Sequence, residues 1–453
     1  MNEDSRTEQI SAVQEEPPEP MGFSEFSGLS GLVGGSTGKL RMKKLCIHKL
    51  CIHKLCGQKT SMSLGLRKSV FQTPLNLILR AIQPKLLGGG RRLLGILFCA
   101  SILQATPLQA EILQDPPADS TSTTGKWSEI RGPLHNAKTE RCIRKGIQFL
   151  VDQQNGVGAF SSTYPVAVTA LAGMAMLGAG AEFGSGPQGQ ALEKAVDYLT
   201  SPIRSNERGY LEDRGESRSR MHGHTYAILF LSQVIGQVPT PQREKEIRKV
   251  IRSGVDLILS CQTAKGGWGY DPSDPLDEAS LTVCCIQALR SAKESGVHVP
   301  KETIDRALEY LRKCATEDGT FRYSLTRSVD RTSYEITAAS ISTMDAAGEY
   351  SLEERKRGMD YIRRLIEKGA RSRKGAFKVA SNFPYYGNFY VGQILQQSRG
   401  ELWDRWSRSV WPQLVGLQKE SGSWESRYGQ EYATAMALLI LELPMGYLPL
   451  YDR

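Results

Sequence analysis

The chain has 453 residues, of which 40% are hydrophobic and 23% are charged, a composition typical of a globular protein. Its formal net charge of +9 is uneven: residues 1–110 hold 14 Lys and Arg against 7 Asp and Glu, and the other 343 residues hold 43 against 41. Because the larger part is nearly neutral and has no basic stripe interleaved with aromatic residues, these numbers exclude a nucleic-acid-binding protein.

Residues 1–90 contain a five-residue tandem, KLCIH-KLCIH-KLC, at positions 44–56. A repeat this short and this perfect is typical of translated repetitive DNA. We predict that residues 1–90 are a disordered extension or lie upstream of the true start, near Met62. The alternative is a metal-binding tract, since Cys and His are metal ligands, although the spacing differs from that of paired CxxC zinc sites. Its ligands would be Cys46, His48, Cys51, His53 and Cys56.

Residues 91–110 have the organisation of a secretory signal peptide. Arg91 and Arg92 precede an apolar run over 93–103, and the small residue Ala110 ends the segment. The run is shorter than the roughly 20 apolar residues of a membrane-spanning helix, so we predict cleavage after Ala110, with an uncleaved anchor as the alternative. Residues 111–139 follow as a flexible linker. The predicted location is outside the cytosol of a bacterium, periplasmic or membrane-associated through the N-terminal segment.

Residues 140–453 contain six copies of a unit with two helices and a glycine-aromatic turn between them. The aromatic residues of successive turns lie 50, 58, 53, 56 and 47 residues apart. They are Phe160, Tyr210, Trp268, Phe321, Phe377 and Trp424. Self-similarity at such a period indicates a repeat architecture, in which no unit buries its apolar face alone.

The two helices of each unit differ in their apolar pattern. The first carries one apolar stripe, as in Val255, Ile258 and Leu259, whereas the second is apolar on most of its circumference and rich in small residues, as over 169–177. A helix that is apolar all round is buried, and a striped helix keeps one side in solvent. We therefore predict an all-α fold, an (α/α)6 toroid of six helical hairpins. The second helices form the inner ring, around a central cavity, and the first helices form the outer ring.

A family resemblance rests on turns of the type Q-x-x-x-G-x-W, of which residues 262–268, QTAKGGW, are the clearest. Helices alternating with such turns resemble the α/α toroid of terpenoid cyclases and protein prenyltransferases. Over residues 140–453 the chain is similar to bacterial prenyltransferase/squalene-oxidase repeat proteins. The resemblance implies a toroid whose cavity takes an isoprenoid or another apolar ligand, but a fold alone does not define a reaction.

Aromatic and acidic residues concentrate between each turn and its inner helix. Because the inner helices run parallel, these segments meet at one mouth of the predicted toroid. A carbocation cascade needs a carboxylic acid that protonates an alkene and aromatic faces that stabilise the cation. We therefore predict Asp277 and Glu278 as catalytic residues. The predicted ligand-binding residues are Tyr164, His222, His224, Tyr334, Glu335, Tyr385, Tyr386, Tyr390, Tyr428 and Glu431.

The position of Asp277 resembles that of the acid in triterpene cyclases, which carry it in a D-x-D-D motif just before an inner helix. Residues 274–278 read DPLDE, so the position matches, but Leu276 occupies a motif Asp position. The alternatives are that Asp277 caps the following helix, makes the rim polar, or binds the substrate.

The resemblance also points to a zinc site, because protein prenyltransferases hold zinc with Asp, Cys and His at the starts of inner helices. Asp277, Cys284 or Cys285, and His222 or His224 supply these residue types. However, Cys284 follows Asp277 by seven residues, roughly 10 Å along a helix, where the family spacing is two residues. We therefore expect no metal and no cofactor.

Two aromatic clusters have alternative interpretations. The pair His222 and His224 orients a ligand, or it is one exposed and one hydrogen-bonded histidine at the entry of a helix. Tyr385, Tyr386 and Tyr390 line the cavity, where the ring is apolar and the hydroxyl finds a partner, or they belong to the core as Phe389 does.

The sequence thus predicts an exported squalene cyclase/prenyltransferase-like repeat protein that binds an isoprenoid or another apolar ligand, and terpenoid-cyclase-type activity is its catalytic form. A non-catalytic binding scaffold is one alternative. Another is a carbohydrate-active (α/α)6 enzyme, in which Asp277 with Glu335 or Glu431 would serve as acid and base. The basic run at 371–374 is a solvated loop or a contact with a membrane surface.

Overall fold

The computed structural model describes residues 136–202, 205–206, 208–213, 216, 220–327, 331–371, 377 and 382–445. The predictions for residues 1–90, for the signal peptide at 91–110 and for the linker up to residue 135 lie outside this range. The described residues form twelve α-helices and no β-strand. No helix among them is long and apolar enough to cross a membrane.

Outer and inner helices alternate along the chain, and the odd-numbered helices are the outer ones. They are α1 (Ala137–Gln153), α2 (Pro165–Gly178), α3 (Gly186–Thr200), α4 (Arg220–Gln233), α5 (Pro241–Ser260), α6 (Ala279–Glu294), α7 (Lys301–Cys314), α8 (Tyr334–Ala346), α9 (Glu353–Ala370), α10 (Pro384–Ser398), α11 (Glu401–Gly416) and α12 (Gln430–Glu442). A short 3-10 turn, Leu443–Met445, follows α12.

The inner helices form a closed ring. Each even-numbered helix packs against the next, and α12 packs against α2. The outer helices cover this ring from outside, as α3 does with α2 and α9 with α8. The prediction of an all-α toroid with an inner and an outer ring is therefore confirmed.

Burial follows the apolar patterns of the two helix types. In α2 every residue but one is buried. In the outer helix α7 only Ala307, Tyr310, Leu311 and Cys314 are buried, which lie on one stripe. Each side chain of this stripe loses its contact with water against the inner ring, and the opposite, charged side of the helix stays in solvent.

The glycine-aromatic turn within a hairpin packs against the outer helix of the next hairpin. Gly266 has φ +97°, and a Cβ on this residue would meet the backbone carbonyl of Arg306 in α7. The carboxamide of Gln262 donates hydrogen bonds to the carbonyl of Gly266 and to that of Thr303 in α7, both at 2.9 Å. The Q-x-x-x-G spacing therefore builds a junction between neighbouring outer helices.

The same junction occurs in the first repeat and where the ring closes. Gln154 donates to the carbonyl of Ala191 in α3 at 2.8 Å, and Gln418 donates to that of Cys142 in α1, also at 2.8 Å. The last bond joins residues 276 positions apart, so the final turn is fastened to the first outer helix by the contact that fastens internal repeats.

A recurring threonine orients the inner helices. The backbone N–H of Trp268 donates to Oγ1 of Thr282 in α6, and the indole N–H donates to the carbonyl of Ile258 in α5. Threonines that accept from a turn in the same way lie in the first two turns of three other inner helices: Thr169, Thr337 and Thr434. This face of each inner helix looks towards the outer ring. Residues two positions away, about 200° round the helix, therefore face the lumen, the space inside the inner ring.

Candidate functional site

The lumen is lined with aromatic side chains near the N-terminal ends of the inner helices. His222 and Tyr226 of α4, Tyr386 of α10 and Tyr432 of α12 remain half-exposed, although their helices have neighbours on both sides and outer helices behind them. His222, Tyr386 and Tyr432 each lie two positions before the residue of their own helix that faces a glycine-aromatic turn. The accessible part of these rings therefore faces the lumen.

Deeper in the lumen, side chains from several helices meet around one thiol. The Cys284 thiol of α6 interacts with the hydroxyls of Tyr226 and Tyr390, and the Tyr386 ring stands edge-on to Tyr390 at 4.7 Å. The hydroxyl of Tyr390 donates to Oε1 of Gln287 at 2.9 Å. This bond joins α10 to α6, which are not neighbours in the ring. The Tyr390 side chain therefore extends across part of the lumen.

The walls of the lumen are electrically neutral at pH 7. Burial raises the pKa of Tyr226, Tyr386 and Tyr390 well above the ordinary value and that of Cys284 to about 12. Burial also lowers the pKa of His222 to about 4, so its imidazole is uncharged. The space is therefore suited to an apolar guest and, through the faces of its rings, to a developing positive charge.

Glu278 is a buried carboxyl group at the start of α6. Its side chain forms an ion pair with Arg327, at 2.9 Å between Nε and Oε1. Burial raises its pKa to about 7, against the opposing effects of the Tyr270 and Tyr323 hydroxyls and of Arg327. Near neutral pH, Glu278 therefore carries a proton that it can give up, which an ordinary glutamate does not.

A pair of tyrosines connects Glu278 with the lumen. The hydroxyl oxygens of Tyr270 and Tyr323 lie 2.5 Å apart and next to the carboxyl group. The Tyr270 ring is 5.9 Å from that of His222, and Tyr323 acts electrostatically on Tyr386. These two tyrosines thus lie next to both Glu278 and the aromatic lining.

Asp277 is fully buried and held in place by hydrogen bonds on the side of the outer ring. Its Oδ1 accepts from the hydroxyl of Tyr310 in α7 at 2.7 Å, from Ser324 at 3.1 Å and from the backbone N–H of Leu325 at 3.0 Å. The capping position of α6 belongs to Glu278, whose side chain makes no capping bond. Through these bonds, Asp277 connects α7 and the loop after it to the inner ring.

Three of the predicted ligand-binding residues make hydrogen bonds to backbone groups. His224 occupies the position of the turn-facing threonine: its Nδ1 accepts from Leu211 N–H at 3.1 Å, so Nε2 carries the proton and donates to the Gly254 carbonyl. Glu335 accepts from the N–H of Phe383 at 2.8 Å, and Tyr385 donates to the carbonyl of Glu425 at 3.1 Å. These side chains position loops and helices, and the structure does not bring His224 to the lumen.

The remaining predicted residues lie around the mouth or behind it. Tyr164 precedes α2 and meets the ring of Tyr428 at 6.1 Å, and both are half-buried. Glu431 is half-buried in the first turn of α12. Tyr334 is buried at the start of α8, where it interacts with Tyr361 of the outer helix α9.

The side chains considered for metal and paired-carboxylate chemistry have other partners in the structure. Cys284 interacts with tyrosines and Thr225, and in the described part of the chain no group of three or more His, Cys, Asp or Glu side chains is placed to hold a metal ion. Asp277 and Glu335, two of the predicted glycosidic carboxylates, are each engaged by their own set of hydrogen bonds.

Several residues of the site were missed by sequence reasoning. Tyr226 and Gln287 lie inside inner helices. Tyr270 and Tyr323 lie in the segments that were expected to form the mouth, but they were not singled out. Glu216 was also missed: it accepts hydrogen bonds from the first N–H groups of α2, and burial raises its pKa to about 7. Counting two positions from the turn-facing threonine would have identified Tyr432, but no signal marks Glu216.

No family model matches the chain, and no curated protein matches it in sequence. Solved structures are similar in fold. The type II terpene cyclase MstE from Scytonema is 14% identical, with a TM-score of 0.46 over 69% of this chain and 100% of that one. An inactive variant of the alpha-1,6-mannanase GH76A of Salegentibacter sp. HEL1_6, in complex with alpha-1,6-mannotetrose, is 8% identical, with a TM-score of 0.50 over 68% and 99%. A D-mannose isomerase is 13% identical, with a TM-score of 0.49 over 68% and 98%.

At these identities the likeness shows the fold alone. It agrees with the closed ring of alternating helices, and the prenyltransferase/squalene-oxidase repeat family itself finds no match in sequence. Fold does not define the reaction, which has to be argued from the side chains of the lumen.

Proposed function

We propose that the toroid binds an isoprenoid or a similar apolar ligand in its lumen and transfers a proton to it in a reaction of the terpenoid-cyclase type. The observation that carries this proposal is the junction of an aromatic, neutral lumen with one buried carboxyl group, Glu278, of pKa about 7. The rings supply an apolar surface for the ligand, and the carboxyl group supplies the acid.

In the proposed reaction, the Tyr270 and Tyr323 hydroxyls relay the proton of Glu278 to an alkene carbon of the ligand. One O–H bond of the carboxyl group breaks, one C–H bond forms, and a carbocation is left facing the tyrosine rings. Ring closure moves the cation along the ligand, and loss of a proton forms the final alkene. Glu278, left as a carboxylate, takes up a proton again, so the reaction is an isomerisation and needs no other reactant.

The proposal is tested with full-length protein, squalene and geranylgeraniol as substrates, and chromatographic detection of cyclic isomers. We expect Glu278→Gln to lower turnover by about 10²–10⁴-fold, the usual contribution of a general acid. The matched control is Glu442→Gln, which removes another buried carboxyl group, at the opposite end of an inner helix, and is expected to keep its turnover.

The pH profile provides a second readout. Because Glu278 acts in its protonated form, kcat/KM should fall about tenfold per pH unit above pH 7. Arg327 lowers the pKa of Glu278 and Asp274 raises it, so Arg327→Gln should move the fall to higher pH and Asp274→Asn to lower pH. Wild-type turnover by the Glu278→Gln variant, or a profile that neither neighbour moves, contradicts the role of Glu278.

Export of the protein belongs to the same proposal, on the basis of the signal-peptide pattern at residues 91–110. A peptide map of the protein from its own cell should then contain no peptide from before residue 111. Abundant peptides from residues 1–110 in the mature protein would contradict cleavage.

A further inference from the structure

A pocket of about 360 Å³ lies between the starts of α10 and α12. Its lining includes Phe383, Tyr385, Tyr428 and Tyr432, together with two cationic side chains, Lys419 and Arg427, and one carboxylate, Glu425, which pairs with Lys419. Tyr432 also belongs to the aromatic wall of the lumen, so the pocket adjoins the proposed ligand site.

Arg427 lies against two aromatic rings. Its guanidinium carbon lies 4.7 Å from the centre of the Phe383 ring and 5.2 Å from that of Tyr428. These two rings are nearly parallel, with centres 6.2 Å apart. Stacking fixes the plane of a guanidinium group but leaves its N–H donors at the edge available to an acceptor.

A second arginine, Arg331, adds positive charge near the Arg427 pocket. Arg331 stacks on Tyr323 at 5.4 Å, and its charge, together with that of Arg427, lowers the pKa of the Tyr428 hydroxyl against the rise that burial causes. The N-termini of the inner helices point to the same end of the ring and add positive potential. This part of the mouth is therefore electropositive.

Two other arginines near the mouth have carboxylate partners. Arg220 pairs with Glu212 and Asp271, and Arg327 pairs with Glu278. Within the described ranges of the chain, neither Arg331 nor Arg427 forms an ion pair with an acidic side chain. Their charges are thus available to a ligand.

Resting on the proposed function, we infer that the ligand is amphipathic and anionic: the pocket at Arg427 binds a phosphate or carboxylate head group while the apolar chain lies among the tyrosines of the lumen. A planar guanidinium group can donate two parallel hydrogen bonds to either anion.

The test compares three probes with the same chain: geranylgeranyl monophosphate, geranylgeranoic acid and geranylgeraniol. Affinities for the full-length protein are measured by titration calorimetry below the micelle concentration of each probe. We expect both anions, or the one that is the natural head group, to bind at least tenfold more tightly than the alcohol. Arg427→Gln should remove this preference and leave the affinity for the alcohol unchanged within twofold. Arg363→Gln, on the exposed side of α9, is the matched loss of one charge and should change nothing.

The outcomes separate this inference from the proposed function. Equal binding of the alcohol and both anions overturns the anionic ligand and leaves the apolar ligand site standing. Weaker binding of the alcohol in the Arg427→Gln variant also overturns it, because the arginine would then contact the apolar chain. If none of the three probes binds, both the inference and the proposed function fail.

Discussion

Two adjacent carboxyl groups, Asp277 and Glu278, are both buried but have different surroundings. Three donors share Oδ1 of Asp277, which makes this residue part of the connection between α6, α7 and the loop after α7. Glu278 has one ion pair, with a half-exposed arginine, and its pKa is raised because burial outweighs this attraction. The candidate acid is therefore identified by its partners in space, which a comparison with a sequence motif does not reveal.

Glu442 gives a prediction about stability at the level of one residue. It is buried at the end of α12 against Gly178, and among the described residues neither of its oxygens has a hydrogen-bond partner. Burial raises its pKa well above the ordinary 4.5, so in the folded protein the group stays protonated as pH rises, whereas in the unfolded chain it ionises. The contribution of Glu442 to stability is thus largest below pH 4.5 and is lost as pH rises from there towards the raised pKa.

We therefore expect Glu442→Gln to increase the free energy of unfolding at pH 7 by up to about 3 kcal/mol, because ionisation of Glu442 favours the unfolded wild-type chain by about 1.4 kcal/mol per pH unit above 4.5 and an amide does not ionise. The gain should shrink towards zero at pH 4. Urea denaturation at pH values from 4 to 8 measures it. The control is Glu420→Gln, at an exposed position, which should stay within about 0.5 kcal/mol of the wild type throughout. A gain that is the same at every pH would contradict the protonation argument.

At the level of helices and turns, the sequence predicts most of what the structure contains, because each repeat meets the same local requirements. The apolar patterns separate outer from inner helices, and the Q-x-x-x-G turns mark the junctions. His224 could have been placed as well, since it stands where Thr169 and Thr282 stand in other repeats. The contact of Tyr390 with Gln287 could not, because it joins residues 103 positions apart across the lumen, and no periodicity describes such a pair.

The turn between α1 and α2 contains a matched pair of glycines. Gly158 has φ +94°, and a Cβ there would collide with the backbone carbonyl of Lys194 in α3. Gly156, two residues earlier, has open space around its Cβ position and no positive φ. Because backbone strain of this kind costs about 1–3 kcal/mol, Gly158→Ala should lower the free energy of unfolding by at least that amount.

The same substitution at Gly156 serves as the control and should leave stability within about 0.5 kcal/mol of the wild type. Chemical denaturation of both variants measures the difference. Equal effects of the two substitutions would show that the junction does not depend on the close approach of the turn to α3.

Closure of the ring is a property of the whole molecule that the repeat period alone does not define, because the same hairpins also build open solenoids. In an open array the terminal repeat has one neighbour and unfolds more easily than an internal one. Here α12 packs against α2, and the last turn reaches α1. Each repeat thus has two neighbours, and the lumen is enclosed on all sides by inner helices.

Closure can be tested by comparing two junctions that have the same chemistry. Gln418 joins the last turn to α1, and Gln262 joins an internal turn to α7. Each glutamine donates two hydrogen bonds of 2.8–2.9 Å, one to a glycine carbonyl of its own turn and one to a carbonyl of the outer helix. In a closed ring, Gln418→Ala and Gln262→Ala should lower the free energy of unfolding equally, by about 1–3 kcal/mol, since each removes two hydrogen bonds to backbone carbonyls. Both variants should still unfold in one transition in urea, with the same midpoint shift. If the ring opens in solution, Gln418→Ala costs much less than Gln262→Ala, because the terminal junction is then already broken in the native state.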